Sequence, residues 1–286
     1  MDEHNAVKLF CESEGAGEPV VILHGLMGSC ENWRGIRSAL AARFRVVCCD
    51  LPNHGRSPHA AKTSLRSMGA DVLETLGALG IAGPFCLIGH SMGGKVAMQL
   101  ACDCPGRVRG LVVVDISPRA IQPAHLFVLR ACQDIDLSAA QRRSDLDAAL
   151  ARYIPQRETR DFLLKNVVRD AEGRFGWRVP LQYLIDNYRE VSDAPPLPSP
   201  YAGPALFVAG ETSPFHLQKD EALIRKWFPA ARLITVAGAG HLVHTDRPED
   251  FLATVRPFLE TLADVPGARL IFWRNAILLG FTKDGP

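Results

Sequence analysis

The sequence has no apolar run long enough to cross a bilayer, which excludes a spanning helix. Charge of either sign is not in surplus. The 32 lysines and arginines against 31 aspartates and glutamates leave a net charge of +1, so there is no global field to hold nucleic acid or an anionic membrane. The amino terminus, Met1-Asp2-Glu3-His4-Asn5, is acidic and lacks the apolar segment of a secretory signal. Metal-ligand spacing is also missing. Cys102-Asp103-Cys104 has no second pair, and His241-Leu242-Val243-His244 lacks the glutamate of a zinc-binding helix. There is no internal repeat. The eight cysteines, several of them inside apolar runs such as Val46-Val47-Cys48-Cys49, read as free thiols in a reducing, cytoplasmic setting rather than as a disulfide framework.

What is present is an alternation. Short apolar runs occur at Val20–Leu23, Phe44–Cys49, Phe85–Ile88, Leu111–Val114, Ala205–Val208 and Arg232–Val236. Helical patterns fill residues 67–79, 92–103, 217–228 and 248–263. Continuously apolar strands are buried on both faces, so the expected class is α/β: a mostly parallel open sheet flanked by helices. Residues 119 to about 194 break the alternation. Leu146, Leu150, Tyr153 and Ile154, and again Leu181, Leu184, Ile185 and Tyr188, follow helical spacing. The stretch closes in the stiff connector Ala194-Pro195-Pro196-Leu197-Pro198-Ser199-Pro200. The expected organisation is a core made of 1–118 and 201–264, a helical lid at 119–200, and a carboxy-terminal tail at 265–286 of no assigned role.

The chemistry centres on Gly89-His90-Ser91-Met92-Gly93, which lies between a strand and a good helix. In such a tight turn only small residues fit beside the serine, its hydroxyl is pushed above the sheet, and a helix amino terminus is aimed at the reacting atom. Ser91 is the candidate nucleophile. A serine needs a base, and His241, in the glycine-rich loop Gly238-Ala239-Gly240-His241, is the candidate; His244 competes three residues on. After the first apolar run comes His24-Gly25-Leu26-Met27-Gly28, where the backbone N–H of Leu26 joins that of Met92 as a candidate oxyanion site. Asp50-Leu51-Pro52-Asn53-His54-Gly55-Arg56-Ser57 reads as a structural turn, with Asp50 bonding its own backbone. Phe127, Phe162, Phe175, Trp177 and Tyr183 are candidate lid-core or acyl-pocket residues.

These segments together resemble the α/β-hydrolase superfamily from about Leu9 to Leu262, and within it the small bacterial-type carboxylesterases. The subgroup likeness rests on Asp50–Ser57, on Val114-Asp115-Ile116-Ser117-Pro118 and on Phe175-Gly176-Trp177-Arg178. The resemblance implies ester or thioester substrates of small to medium acyl size, no cofactor and no metal. It also implies the chain order in which the histidine comes last. One departure matters. Where most of the superfamily carries an aspartate after the Ala205–Val208 strand, this chain has Gly210-Glu211-Thr212-Ser213. Asp115, at the end of the preceding strand, is the candidate acid, as in the esterase subgroup, with Ser213 as an auxiliary group; Glu211 and Asp220 are the alternatives. The expected protein is a cofactor-free serine esterase whose partner is a small acyl ester. Carbon–carbon bond hydrolysis, acyl transfer on the same triad, or a ligand receptor on a hydrolase fold are the other readings.

Overall fold

The apolar runs pair into one seven-stranded sheet in the computed structural model, which describes residues 6–122 and 124–263. The tail at 265–286 and the first five residues lie outside the described residues. The strands are β1 (Cys11–Glu14), β2 (Pro19–Leu23), β3 (Arg45–Cys49), β4 (Phe85–His90), β5 (Val108–Val114), β8 (Ala205–Gly210) and β9 (Ala231–Val236). Their order is β1-β3-β2-β4-β5-β8-β9. Every pairing is parallel except β1 with β3. The helices outside the insertion are α1 (Arg34–Ala41), α2 (Leu65–Ala78), α3 (Met92–Asp103), α9 (Glu221–Trp227), α10 (Val243–Asp246) and α11 (Pro248–Ala263).

Alternate residues of each central strand feed different cores, as the two-residue period of a strand demands. Val21 and Leu23 pack with Leu65 and Val72 of α2, Val96 of α3 and Ile224 of α9. Val20 and Ile22 pack on the other face with Ile36 and Leu40 of α1 and Phe251, Val255 and Leu259 of α11. Both cores are dry enough that burial alone explains why these strands show no polar alternation in sequence. Two elements carry no such signal. Strand β1 is a half-exposed antiparallel edge bearing Glu12 and Glu14, and α1 buries only Ile36 and Leu40. All eight cysteines are thiols, six of them buried.

The segment between β5 and β8 holds α4 (Ala124–Asp134), α5 (Arg143–Leu150), α6 (Arg157–Leu164), α7 (Leu181–Asp186) and α8 (Tyr188–Ser192) around its own apolar core. It is not wholly helical: β6 (Val167–Arg169) and β7 (Phe175–Trp177) form an antiparallel hairpin. Strands of three residues with half-exposed side chains are too short to show a period in sequence. The segment is tied to the sheet domain by polar bonds. Lys95, buried on α3, donates to the carbonyls of Ser192 at 2.6 Å and Asp193 at 2.7 Å, the last turn of α8. The Asn187 side chain accepts from the N–H of Thr63 at 3.0 Å and donates to the carbonyl of Ala61 at 2.8 Å.

Lys95→Met keeps the aliphatic stem and leaves those two carbonyls without their donor. The expected loss is about 1–3 kcal/mol of folding free energy, read as a lowered Tm in thermal unfolding followed by circular dichroism. An unchanged Tm would mean that the α8 carbonyls find other donors.

Candidate active site

At the carboxyl ends of β4 and β5 two neighbouring chains turn through left-handed backbone. Ser91 has φ 51° and Asp115 has φ 53°. For a residue with a Cβ this conformation is costly and needs surrounding structure to hold it. The hold is visible. The Ser91 N–H donates to the Val114 carbonyl at 3.0 Å, and the Asp115 N–H to the Val208 carbonyl at 2.8 Å. The turn at Ser91 also requires two glycines. A Cβ on Gly89 would lie 2.3 Å from the Gly93 carbonyl oxygen, and one on Gly93 would lie 2.4 Å from that of His24. Helix α3 starts at Met92, so its first N–H groups have no partner inside the helix and face the serine.

Asp115 is fully buried, and three donors converge on its carboxylate. The N–H of Gly210, at the end of β8, donates to Oδ1 at 2.9 Å. His241 Nδ1 meets Oδ2 at 2.7 Å, and the Ser213 hydroxyl donates to the same oxygen. A carboxylate acceptor places the proton of His241 on Nδ1 and leaves Nε2 as the basic nitrogen. Ser213 Oγ in turn accepts the Phe215 N–H at 3.2 Å, which fixes the direction of its hydroxyl. The other carboxylates are used elsewhere. Glu211 accepts from the Gly238 N–H at 2.8 Å, while Asp220 accepts from Ser117 Oγ at 2.6 Å and pairs with Arg119 at 2.8 Å. His244, the competing histidine, stacks flat on Trp33 at 3.8 Å and is buried.

The loop after β2 is held from both sides. The Leu51 N–H donates to His24 Nε2 at 2.9 Å, so His24 carries its proton on Nδ1 and donates it to the Gly25 carbonyl at 2.8 Å. Met27 has φ 61°, its side chain sits in the core of the inserted segment, and its carbonyl accepts from Asn166 at 2.7 Å. The Leu26 N–H between them has no acceptor among the described residues. Nothing in the sequence marks Asn166 or Lys95 as partners of this region. Their signal is only that each is a buried polar residue in an apolar setting.

Asp50 does bond its own turn, accepting from the Arg56 N–H at 2.8 Å, and also reaches the Cys30 N–H at 2.7 Å. Arg56 pairs with Glu12 and Glu31 and lies over the Phe10 ring, away from Ser91. Of the five lid aromatics, Phe162, Phe175 and Trp177 pack against the lid core, whereas Phe127 and Tyr183 are exposed. Phe162 also lines a cavity of about 250 Å³ floored by His24, His90 and Trp33. Among the described residues no cluster of three metal-ligating side chains occurs and no helix is long and apolar enough to cross a membrane.

A parallel-strand sheet with a serine at a strained strand-to-helix turn, a histidine loop at its carboxyl edge and a helical insertion above is the architecture of an α/β hydrolase. The chain belongs to that family: the family model described as alpha/beta hydrolase fold matches residues 18–248. It is 39% identical to the sn-1-specific diacylglycerol lipase ABHD11 of Mus musculus, over 84% of this chain and 80% of that protein. It is 32% identical to esterase YbfF of Escherichia coli strain K12, over 87% of this chain and 95% of that one. Among solved structures, a marine microorganism esterase superposes with a TM-score of 0.85 at 37% identity, covering 89% of this chain and all of that one.

The site is bedded on neutral histidines. Burial lowers the pKa of His24 and His90, and brings His54 and His244 down to about 3. Unfolded, each would protonate near 6.5, so below that pH the unfolded chain binds more protons and stability falls as pH drops from about 6.5 toward 3. Each such histidine adds up to about 1.4 kcal/mol of loss per pH unit. The urea midpoint is therefore expected to fall steeply between pH 7 and pH 5. A flat midpoint across that range would show that these rings protonate without unfolding.

Proposed function

We propose that the protein is a serine carboxylesterase-type hydrolase that cleaves small acyl esters through a covalent acyl-enzyme. Ser91 is the nucleophile, His241 the base and acid, Asp115 the residue that orients the histidine, Leu26 and Met92 the oxyanion donors and Ser213 an auxiliary group. The observation that carries this reading is the 2.7 Å bond from His241 to the buried Asp115, whose neighbouring strand ends in the elbow of Ser91. The relatives at 30% identity or better that are named for ester cleavage favour it over carbon–carbon hydrolysis or acyl transfer.

Ser91 Oγ attacks the ester carbonyl carbon while its proton passes to His241 Nε2. The imidazolium so formed is stabilised by Asp115, which also keeps the ring in one tautomer. Charge moves onto the carbonyl oxygen, where the free Leu26 N–H and the unpaired first N–H of α3 receive it. The tetrahedral species collapses, the carbon–oxygen bond to the alcohol breaks, and His241 protonates the departing alkoxide. Water then repeats the sequence on the acyl-serine and releases the acid. No cofactor takes part. The inserted segment acts as a lid, and the eight thiols suit a reducing, cytoplasmic setting.

Ser91→Ala is expected to lower kcat on an activated ester by about 10⁶-fold. Asp115→Asn keeps the shape but supports the wrong tautomer, at a cost of about 10⁴-fold in kcat with little change in KM. Ser213→Ala removes one neutral hydrogen bond and should cost only severalfold, about 1 kcal/mol. Steady-state kinetics on 4-nitrophenyl butyrate read all three. Substantial turnover by Ser91→Ala would remove the serine from the mechanism.

A further inference from the structure

Next to Ser91 lies a second, much smaller space, walled by Leu26, Met92, Ile116, Ile121 and Val191 and closed by Tyr188 of α8. Its free volume is about 20 Å³, roughly the room of one water molecule or a methyl group. Ser91, Leu26 and Met92 all line this space, so the atom it has room for is the one beyond the α-carbon of an acyl group on Ser91. The walls are aliphatic, yet the space is not wholly apolar. Tyr188 is buried, at 3% exposure, and its hydroxyl makes no hydrogen bond among the described residues. The His125 backbone N–H lies toward the phenol oxygen without reaching ordinary bonding geometry, and the hydroxyl proton has no acceptor among the described residues. The other polar groups are committed or turned to other work. Lys95 spends two of its donors on the Ser192 and Asp193 carbonyls. The His125 ring stacks on Phe215, which covers His241. A buried hydroxyl without a partner is costly to keep, and a phenylalanine would fill the same volume without that cost. Burial also raises the phenol pKa, so the group remains an O–H donor across the working range.

We infer that Tyr188 is a specificity-determining residue, and that the acyl group this site takes is short and carries an oxygen on the carbon next to the carbonyl, such as a hydroxy or keto acyl group, which accepts the Tyr188 proton. The inference rests on the serine-hydrolase reading and deepens it. It also separates this chain from a lipase preference, because a long acyl chain does not fit between Tyr188 and the Ile116–Ile121 wall unless α8 moves.

An isosteric pair of activated esters tests it: 4-nitrophenyl glycolate and 4-nitrophenyl propionate, which differ by one hydroxyl in place of one methyl. The ratio of kcat/KM for the two is measured in the wild type and in Tyr188→Phe, and the quotient of the two ratios cancels the intrinsic reactivity of the esters. The expected result is a fall of about fivefold in the glycolate preference of Tyr188→Phe, the worth of one neutral hydrogen bond of about 1 kcal/mol. A quotient within twofold of unity in a folded variant overturns the role of Tyr188. Should Tyr188→Phe fail to fold, the wild type alone still decides the size claim: kcat/KM should fall from butyrate to octanoate, and a rise overturns it. Failure of the underlying reading looks different, because then neither ester is hydrolysed at a rate that depends on Ser91.

Discussion

The buried carboxylate of Asp115 is the point on which the rest of the site depends. It is fully enclosed, and a carboxylate without donors in such a place is among the most expensive groups a protein can hold. Its three donors come from different parts of the chain: Gly210 at the end of β8, Ser213 in the turn that follows, and His241 in the loop after β9. Satisfying one carboxylate therefore fixes the relative positions of three strand ends. The left-handed backbone of Asp115 turns its side chain toward those donors, and the neighbouring left-handed turn at Ser91 is pinned to the same strand through Val114. Strain at two adjacent residues is held by the parallel pairing of β4, β5 and β8 beneath them.

The second constraint is close approach. Gly89, Gly93 and Gly210 each sit where a Cβ would meet a carbonyl oxygen at 2.4 Å or less, so helix α3, the loop after β2 and the histidine loop crowd around the strand ends at backbone distance. The inserted segment belongs to this arrangement as well as covering it. Met27, in the loop after β2, is buried in the core of the inserted segment, and Asn166 of that segment holds the Met27 carbonyl. Removing the inserted segment would therefore take away the packing and the hydrogen bond that hold Met27, next to the Leu26 amide. On the proposed reading, an insertion that borders the acyl space through Tyr188 and holds the Met27 carbonyl through Asn166 couples substrate fit to transition-state geometry.

Much of this was legible in the sequence because it is local. The fully buried strands appear as unbroken apolar runs, and the elbow appears as glycines at fixed spacing around Ser91. Asp115 was readable as a candidate acid by combining an absence at Ser213, a carboxylate at Asp115 and the likeness to the esterase subgroup. The edge strand β1 and helix α1 stayed hidden because half-exposed or short elements show little pattern, and the β6–β7 hairpin because three residues hold no period. Nothing in the sequence singled out Lys95, Asn166 or Tyr188. Each matters through one contact across a long sequence separation or through one missing contact, and such facts exist only once the chain is folded.

The central claim is that His241 donates its Nδ1 proton to Asp115 and to no other carboxylate. Proton NMR of the far-downfield region measures this directly, since an imidazole N–H held against a buried carboxylate is strongly deshielded and protected from exchange. The account predicts one such resonance in the wild type, absent in His241→Ala and Asp115→Asn and retained in Glu211→Gln and Asp220→Asn. A resonance that survives Asp115→Asn and vanishes in either of the latter variants would contradict it.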